Sequence, residues 1–219
     1  MGPRSEQAGS ERVRALVVEA VEAAADLLAR PEVAERWEQP SALEGMTVGA
    51  LCAHLVRAAG AVNAYLDRTD PALRPTEALL TPVTYFHAAI ASPIHEQIKQ
   101  VSAGESTLGP ADTAVKCRAV ADELRRRFAV EPVDRLVAAL GGRLLTLDDF
   151  CRTRLIEVLL HLDDVAASVG LDRPATDPEG PAIVIDILVG IARDQRGDWD
   201  VLYGLGRTER LARPLFPVL

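Results

Sequence analysis

One stretch constrains this chain more than any other: Thr146 to Gly170 carries its own start signal, its own stop signal and an apolar face between them. Thr146 and Asp149 have the spacing of a helix capping box, and Gly170 supplies the left-handed residue that ends a helix. Phe150, Leu155, Val158, Leu162 and Val165 give the segment a broad apolar side. A helix of this length and breadth needs an apolar partner, and with aromatics at only 4% the core must be Ala, Leu and Val, which suits closely packed helices, so the expected class is all-α.

The rest of the chain supplies the partners. Val13, Leu16, Val17, Ala20, Ala24, Leu27 and Leu28 recur with helical period from Glu11 to Arg30, and Pro31 breaks the pattern. Residues 37–46 contain Pro40, Ser41 and Gly45 and read as a loop. Thr47 caps a second helix reaching about Leu66, with Leu51, Leu55, Ala58 and Val62 inward. Asp70 to Pro82 reads as a loop, and a third helix spans about Val83 to Ala103, disturbed at Pro93. Pro110 opens a fourth, whose stripe is Ala114, Cys117, Ala121, Leu124 and Phe128. Val133 to Leu140 reads as a short helix, Gly141-Gly142 as a turn and Leu144-Leu145 as a brief extended piece. After a polar linker (172–181), Ala182 to Arg193 and Trp199 to Arg210 read as short helices. The apolar tail, Pro214 to Leu219, is expected to pack back on the body. The whole reads as a helical bundle over residues 10–170 with a helical extension, 171–219, packed on it.

Within the long helix, Glu157 and His161 stand four residues apart, on one face and about one turn from each other. A carboxylate and an imidazole so placed can grip one metal ion. His54 lies on the edge of the second helix's apolar face and can supply a third ligand. The competing reading is a simple Glu–His pair, common at this spacing. Apolar neighbours (Ile156, Val158, Leu159, Leu160) favour the metal, because a buried carboxylate wants a cation or a donor. Three protein ligands leave a position for water or substrate. Two nitrogens and one oxygen suit zinc, while iron, manganese, cobalt and nickel also accept such ligands. His87 and His95 read as surface or packing residues.

Other chemistries find little support. The three cysteines, Cys52, Cys117 and Cys151, are odd in number and widely spaced, so they read as small core residues and not as a disulfide framework. There is no G-x-S-x-G elbow, and Gly141-Gly142 is too slight for a phosphate loop. With a net charge of -8 and 4% aromatics, the chain has neither the field nor the stacking rings that nucleic acid asks for. Arg125-Arg126-Arg127 lie among Asp122, Glu123 and Glu131 and read as a solvated face. Met1 to Ser10 contain no apolar run, and Pro181 to Ala192 falls short of the roughly 20 residues a bilayer span needs. No membrane and a cytoplasmic location are therefore expected, with a homodimer as the default assembly.

Two segments sharpen this reading. Leu43 to Leu55, LEGMTVGALCAHL, and LTLDDFCRTRLIEVLLHLDDVAASVG resemble, in the same order, two motifs of the DinB-like, mycothiol-dependent maleylpyruvate isomerase family. The resemblance covers roughly residues 10–170. It implies a DinB-like four-helix bundle and a divalent metal, usually zinc, held by His54, Glu157 and His161. It also implies a low-molecular-weight thiol cofactor, mycothiol in actinobacteria, whose sulfur the metal would keep as thiolate. Asp164 matches the acid three residues beyond the second histidine, with a supporting role toward a ligand or the fold; a solvent-facing acid is the plainer reading. Arg154 matches an arginine three residues before the glutamate. It can pair with Glu157, reach a carboxylate of thiol or substrate, or serve as a structural ion pair.

Family members of the isomerase type carry a separate C-terminal domain with substrate-binding groups. Here the residues after Gly170 offer Arg193, Arg196, Arg207 and Arg210, and none maps onto a substrate clamp. The expected function is thus a metal- and thiol-dependent S-transferase or isomerase acting on a small electrophile. A metal-dependent hydrolase on the same scaffold and a non-catalytic regulatory or interaction bundle are the alternatives.

Overall fold

The computed structural model describes residues 3–90, 95–207 and 217–218, with side chains described for 7–90, 100–207 and 217–218. The described elements are α1 (Pro3–Leu28), α2 (Pro31–Glu35), α3 (Val48–Arg68), α4 (Pro82–Ile90), α5 (His95–Glu105), α6 (Pro110–Phe128), β1 (Leu136–Ala139), β2 (Arg143–Thr146), α7 (Leu147–Val169), α8 (Glu179–Arg196) and α9 (Asp198–Gly206). Four long helices make the core. In ring order α1, α6, α3 and α7, each packs on two neighbours. The fill is mainly Ala, Leu and Val, with Phe150 the largest fully buried side chain. Each buried Leu or Val adds about 1.5–3 kcal/mol, so this low-aromatic core gains stability through many modest side chains.

Helix ends fall where the local chemistry puts them. Thr47 Oγ1 accepts from the Ala50 amide and starts α3; Thr146 Oγ1 accepts from the Asp149 amide and starts α7. The Asp149 carboxylate accepts from Arg152 at 2.9 Å, and no hydrogen bond from the Thr146 amide to it is among those of the described residues. Gly170, at φ 71°, closes α7, and the Leu171 amide reaches back to the Ala166 carbonyl at 3.0 Å. The third helix of the sequence reading is two: α4 packs on α8 and α7, whereas α5 packs on α3. Pro93 lies outside the described residues.

The short helix read over Val133 to Leu140 is not present. Leu136–Ala139 is a strand, antiparallel to Arg143–Thr146, with Val137 opposite Leu145. Burial along β1 alternates, Val137 and Ala139 facing the core. That is a period of two, which four residues cannot display clearly enough against a helical reading. Gly141 and Gly142, at φ 76° and 91°, make the turn.

The hairpin sets the relative positions of α3 and α7. Arg135, buried just before β1, donates to the Thr69 carbonyl at 2.8 Å, and the Ala138 amide donates to Thr69 Oγ1, so the end of α3 is held on β1. The Leu147 amide donates to the Arg135 carbonyl at 2.8 Å, joining the start of α7 to the same point. On the far side, Arg14 of α1 pairs with Asp148 at 2.8 Å and donates to the carbonyls of Glu131 and Pro132. The C-terminal end of the helix that carries His54 and the N-terminal end of the helix that carries Glu157 are therefore tied together by polar contacts as well as by packing.

The Arg125–Arg127 run is spent on ion pairs: Arg125 with Glu22 and Asp122, Arg126 with Glu123, Arg127 with Asp67 and Glu123. Among the described residues no helix is long and apolar enough to cross a membrane. Of the apolar tail only 217–218 are described; Val218 is buried and its carbonyl accepts from Gln195. Residues 208–216, including the end of the helix read to Arg210, lie outside the described residues.

Candidate metal centre

His54 sits in the second turn of α3, three residues after the fully buried Leu51 and one before Leu55, and its ring enters the seam with α7. The approach of the chain to α3 is tightly fitted. A Cβ on Gly49 would stand 2.6 Å from the Trp37 ring, and only glycine lets residues 37–46 lie against the helix there. A bridge between Pro40 and Thr47 and the Ser41–Met46 backbone bond complete that loop.

Across the seam, Glu157 and His161 project from one face of α7, one turn apart as the spacing requires. One potential ligand atom from each of His54, Glu157 and His161 lies within 4.8 Å of the other two. Glu157 Oε2 stands 3.8 Å from His54 Nε2 and 3.5 Å from His161 Nε2. The two imidazoles meet edge to face, centroids 4.6 Å apart. Metal bonds of about 2.0–2.2 Å in tetrahedral arrangement put ligand atoms about 3.4 Å from one another, close to the spacing seen here. Two nitrogens and one oxygen in a mostly apolar seam thus suit a divalent ion, with coordination left over for a further group.

Asp164, one turn beyond His161, accepts from or shares a proton with His161 Nδ1 at 3.0 Å. This leaves Nε2 of that ring turned to Glu157, the arrangement in which a carboxylate behind an imidazole fixes its tautomer and raises its basicity. Burial works against charge on His161, yet the hydrogen bonds to Asp164 and Glu157 overcome it and raise its pKa to about 9. Burial would likewise raise the Glu157 carboxyl; the His161 hydrogen bond and the charges of Arg154, His161 and His54 overrule it, to about 2. His54 goes the other way, to about 4, through burial and the neighbouring His161 charge, with Glu157 opposing. At neutral pH Glu157 is thus ionised and His54 neutral, while His161 holds an extra proton.

Arg154 is not paired with Glu157 by any described hydrogen bond. It is 8% exposed, its Nη2 donating to the Tyr85 hydroxyl at 3.2 Å and its Nε to Thr153 Oγ1 at 3.1 Å. Its guanidinium lies against the rings of Tyr85 and Phe150. Its partners are neutral, so its charge is left to act on Glu157 through space. Tyr85, on α4, was not singled out by the sequence, since nothing local ties it to a residue on α7.

Arg57 was also missed. Its Nη2 donates to His54 Nδ1 at 2.8 Å and to Ser102 Oγ at 2.7 Å, and its Nε stands 3.3 Å from Glu105. The signal was available: Arg57 is three residues from His54, on the same helical face. His87 is exposed and pairs with Asp194 at 2.6 Å, away from this cluster, as expected of a surface residue. The His95 side chain lies outside the described residues. The three cysteines are buried; desolvation holds Cys52 and Cys117 up at about 12 and raises Cys151 as well, which suits core residues and not nucleophiles.

Among curated proteins no match is found. Two solved structures are similar: a crystal structure of the mycothiol-dependent maleylpyruvate isomerase and one of its histidine-to-alanine mutant. The mutant matches with TM-score 0.55 and 20% identity, the other with 0.53 and 19%; each comparison covers 84% of this chain and 69% of the other. At that identity the likeness shows the shared fold. The family described as the mycothiol maleylpyruvate isomerase N-terminal domain matches residues 17–166, which hold α3 and α6 whole, α7 up to residue 166, the later part of α1 (residues 17–28) and all three converging donors. On that match, over more than half its length, the chain belongs to the mycothiol maleylpyruvate isomerase N-terminal domain family.

Proposed function

We propose that this protein is a divalent-metal-dependent, low-molecular-weight-thiol-dependent S-transferase or isomerase acting on a small electrophile. The observation that carries the proposal is the convergence of His54, Glu157 and His161, with His161 backed by Asp164. In this reading those three residues hold one ion, zinc being the best match to the donors. The ion supplies Lewis acidity that keeps a thiol, mycothiol or a relative, as thiolate at neutral pH. Everything else falls to the chain. Asp164 orients the His161 ring and sets its basicity. Arg154, buried among neutral partners, steadies the charge on Glu157 and is placed to favour an anionic group of thiol or substrate. The apolar walls of the α3–α7 seam limit water around the reacting sulfur. The two similar structures are of an enzyme whose printed name makes it mycothiol-dependent, which supports thiol use here.

The test is elemental analysis of protein purified without tag or chelator, followed by mycothiol titration of the cobalt-substituted form. About one divalent ion per chain and a thiol-dependent change in the cobalt spectrum would support the reading. Metal without any thiol effect would turn it toward hydrolysis, where products gain water and not a thiol. No metal uptake at all would overturn it.

A further inference from the structure

We infer that Arg57 competes with the metal ion for His54, so that loading the site requires Arg57 to let go of the ring and links the metal to helix α5. The inference rests on the metal reading above.

The argument starts from donors and acceptors. A guanidinium has only N–H donors. At 2.8 Å from Arg57 Nη2, His54 Nδ1 can therefore only accept, and its lone pair is the one in use. A neutral imidazole has a single in-plane lone pair, so in this arrangement the proton is on Nε2, the atom aimed at Glu157. An ion on Nε2 needs that lone pair, and the ring proton must then be on Nδ1, where it would point at an Arg57 N–H. The Arg57–His54 bond and an Nε2-bound ion exclude one another. Histidine ligands ordinarily turn their second nitrogen toward a carboxylate or carbonyl. His161 does this with Asp164, whereas His54 faces a cation.

Arg57 has somewhere to go. It already reaches Ser102, fully buried on α5, and the Glu105 carboxylate at the end of α5. On release from His54 the guanidinium keeps both, so the exchange shifts the α3–α5 contact without stranding a charge. The residue thereby sets how tightly the site holds its ion and gives α5 a means of sensing occupancy.

The experiment compares metal affinity in the wild type, Arg57→Gln and Arg57→Ala by competition with a chromophoric chelator, using zinc and cobalt. A glutamine at 57 can accept from Nδ1–H, so Arg57→Gln should bind metal about tenfold tighter or more, the scale of a charge-assisted hydrogen bond that no longer has to break. Arg57→Ala should also bind more tightly, with less gain. Ring-nitrogen NMR on wild type stripped by chelator should find the His54 proton on Nε2, moving to Nδ1 on loading; this reading does not depend on the variants folding. Unchanged or weaker affinity in both variants with native circular dichroism, or a proton on Nδ1 before loading, would overturn the inference while leaving the metal site intact. Failure of all three proteins to bind metal, equally with His54→Ala, would instead overturn the site itself and this inference with it.

Discussion

Metal loading at the proposed site should release one proton, and its affinity should climb with pH accordingly. The perturbation is pH alone. His161 must be neutral to ligate, yet its hydrogen bonds to Asp164 and Glu157 hold its pKa at about 9. Below that value the ion displaces a proton, so affinity should rise about tenfold per pH unit, or about 1.4 kcal/mol. From pH 7 to pH 8 the expected gain is thus about tenfold, flattening above about 9. The other ligands add nothing to the slope in this range: Glu157, lowered to about 2, is already ionised, and His54, lowered to about 4, is already neutral. One proton, not two, is therefore the expected count near neutrality. Isothermal titration of zinc in buffers of different ionisation enthalpy counts protons directly, and chelator competition from pH 6.5 to 9 gives the slope. Pre-equilibrium formation of metal hydroxide has to be held constant by comparing His161→Ala under the same conditions. A pH-independent affinity with no proton release would refute the reasoning, because His161 would then already be neutral before the ion arrives.

Single substitutions test the remaining claims. His54→Ala, His161→Ala and Glu157→Ala should each remove most metal binding by titration, since each withdraws one of three ligands; wild-type affinity in all three would sink the site. Asp164→Asn should weaken binding by a smaller factor, about 10- to 100-fold, because it disturbs only the residue behind His161. Gly49→Ala should cost about 1–3 kcal/mol in urea unfolding, its Cβ meeting the Trp37 ring at 2.6 Å. Arg14→Ala should cost about 3 kcal/mol by the same assay, since it leaves Asp148 largely buried without its ion pair and frees two backbone carbonyls.

Much of the site was legible in the chain itself, because Glu157 and His161 share one helix. Four residues of spacing on a helix capped at Thr146 and stopped at Gly170 fix their relation to within a turn, whatever the rest of the molecule does. Asp164 follows for the same reason. The link to His54 was reached differently: spacing on α3 placed it beside an apolar stripe, but its pairing with α7 rested on the resemblance of two motifs. Helix periods over α1, α3, α6 and α7 were equally local, and these make the core.

What needed the tertiary structure is whatever depends on two distant segments meeting. The strand at Leu136–Ala139 exists because β2 offers it hydrogen-bond partners across a two-glycine turn; its own four residues state no clear period. The split of one expected helix into α4 and α5 shows in their different neighbours, α8 and α7 for one, α3 for the other. Arg154 illustrates the limit best. Its sequence position, three before Glu157, left open a pair with Glu157, a reach to a carboxylate of thiol or substrate, and a structural ion pair; the fold buries it against Tyr85 and Phe150. Local geometry along a helix is set by covalent spacing and travels with the sequence. Which face is covered, by what, and how far each charge is cut off from water is set by packing between helices far apart in the chain, and so only the assembled bundle decides the proton inventory of the site.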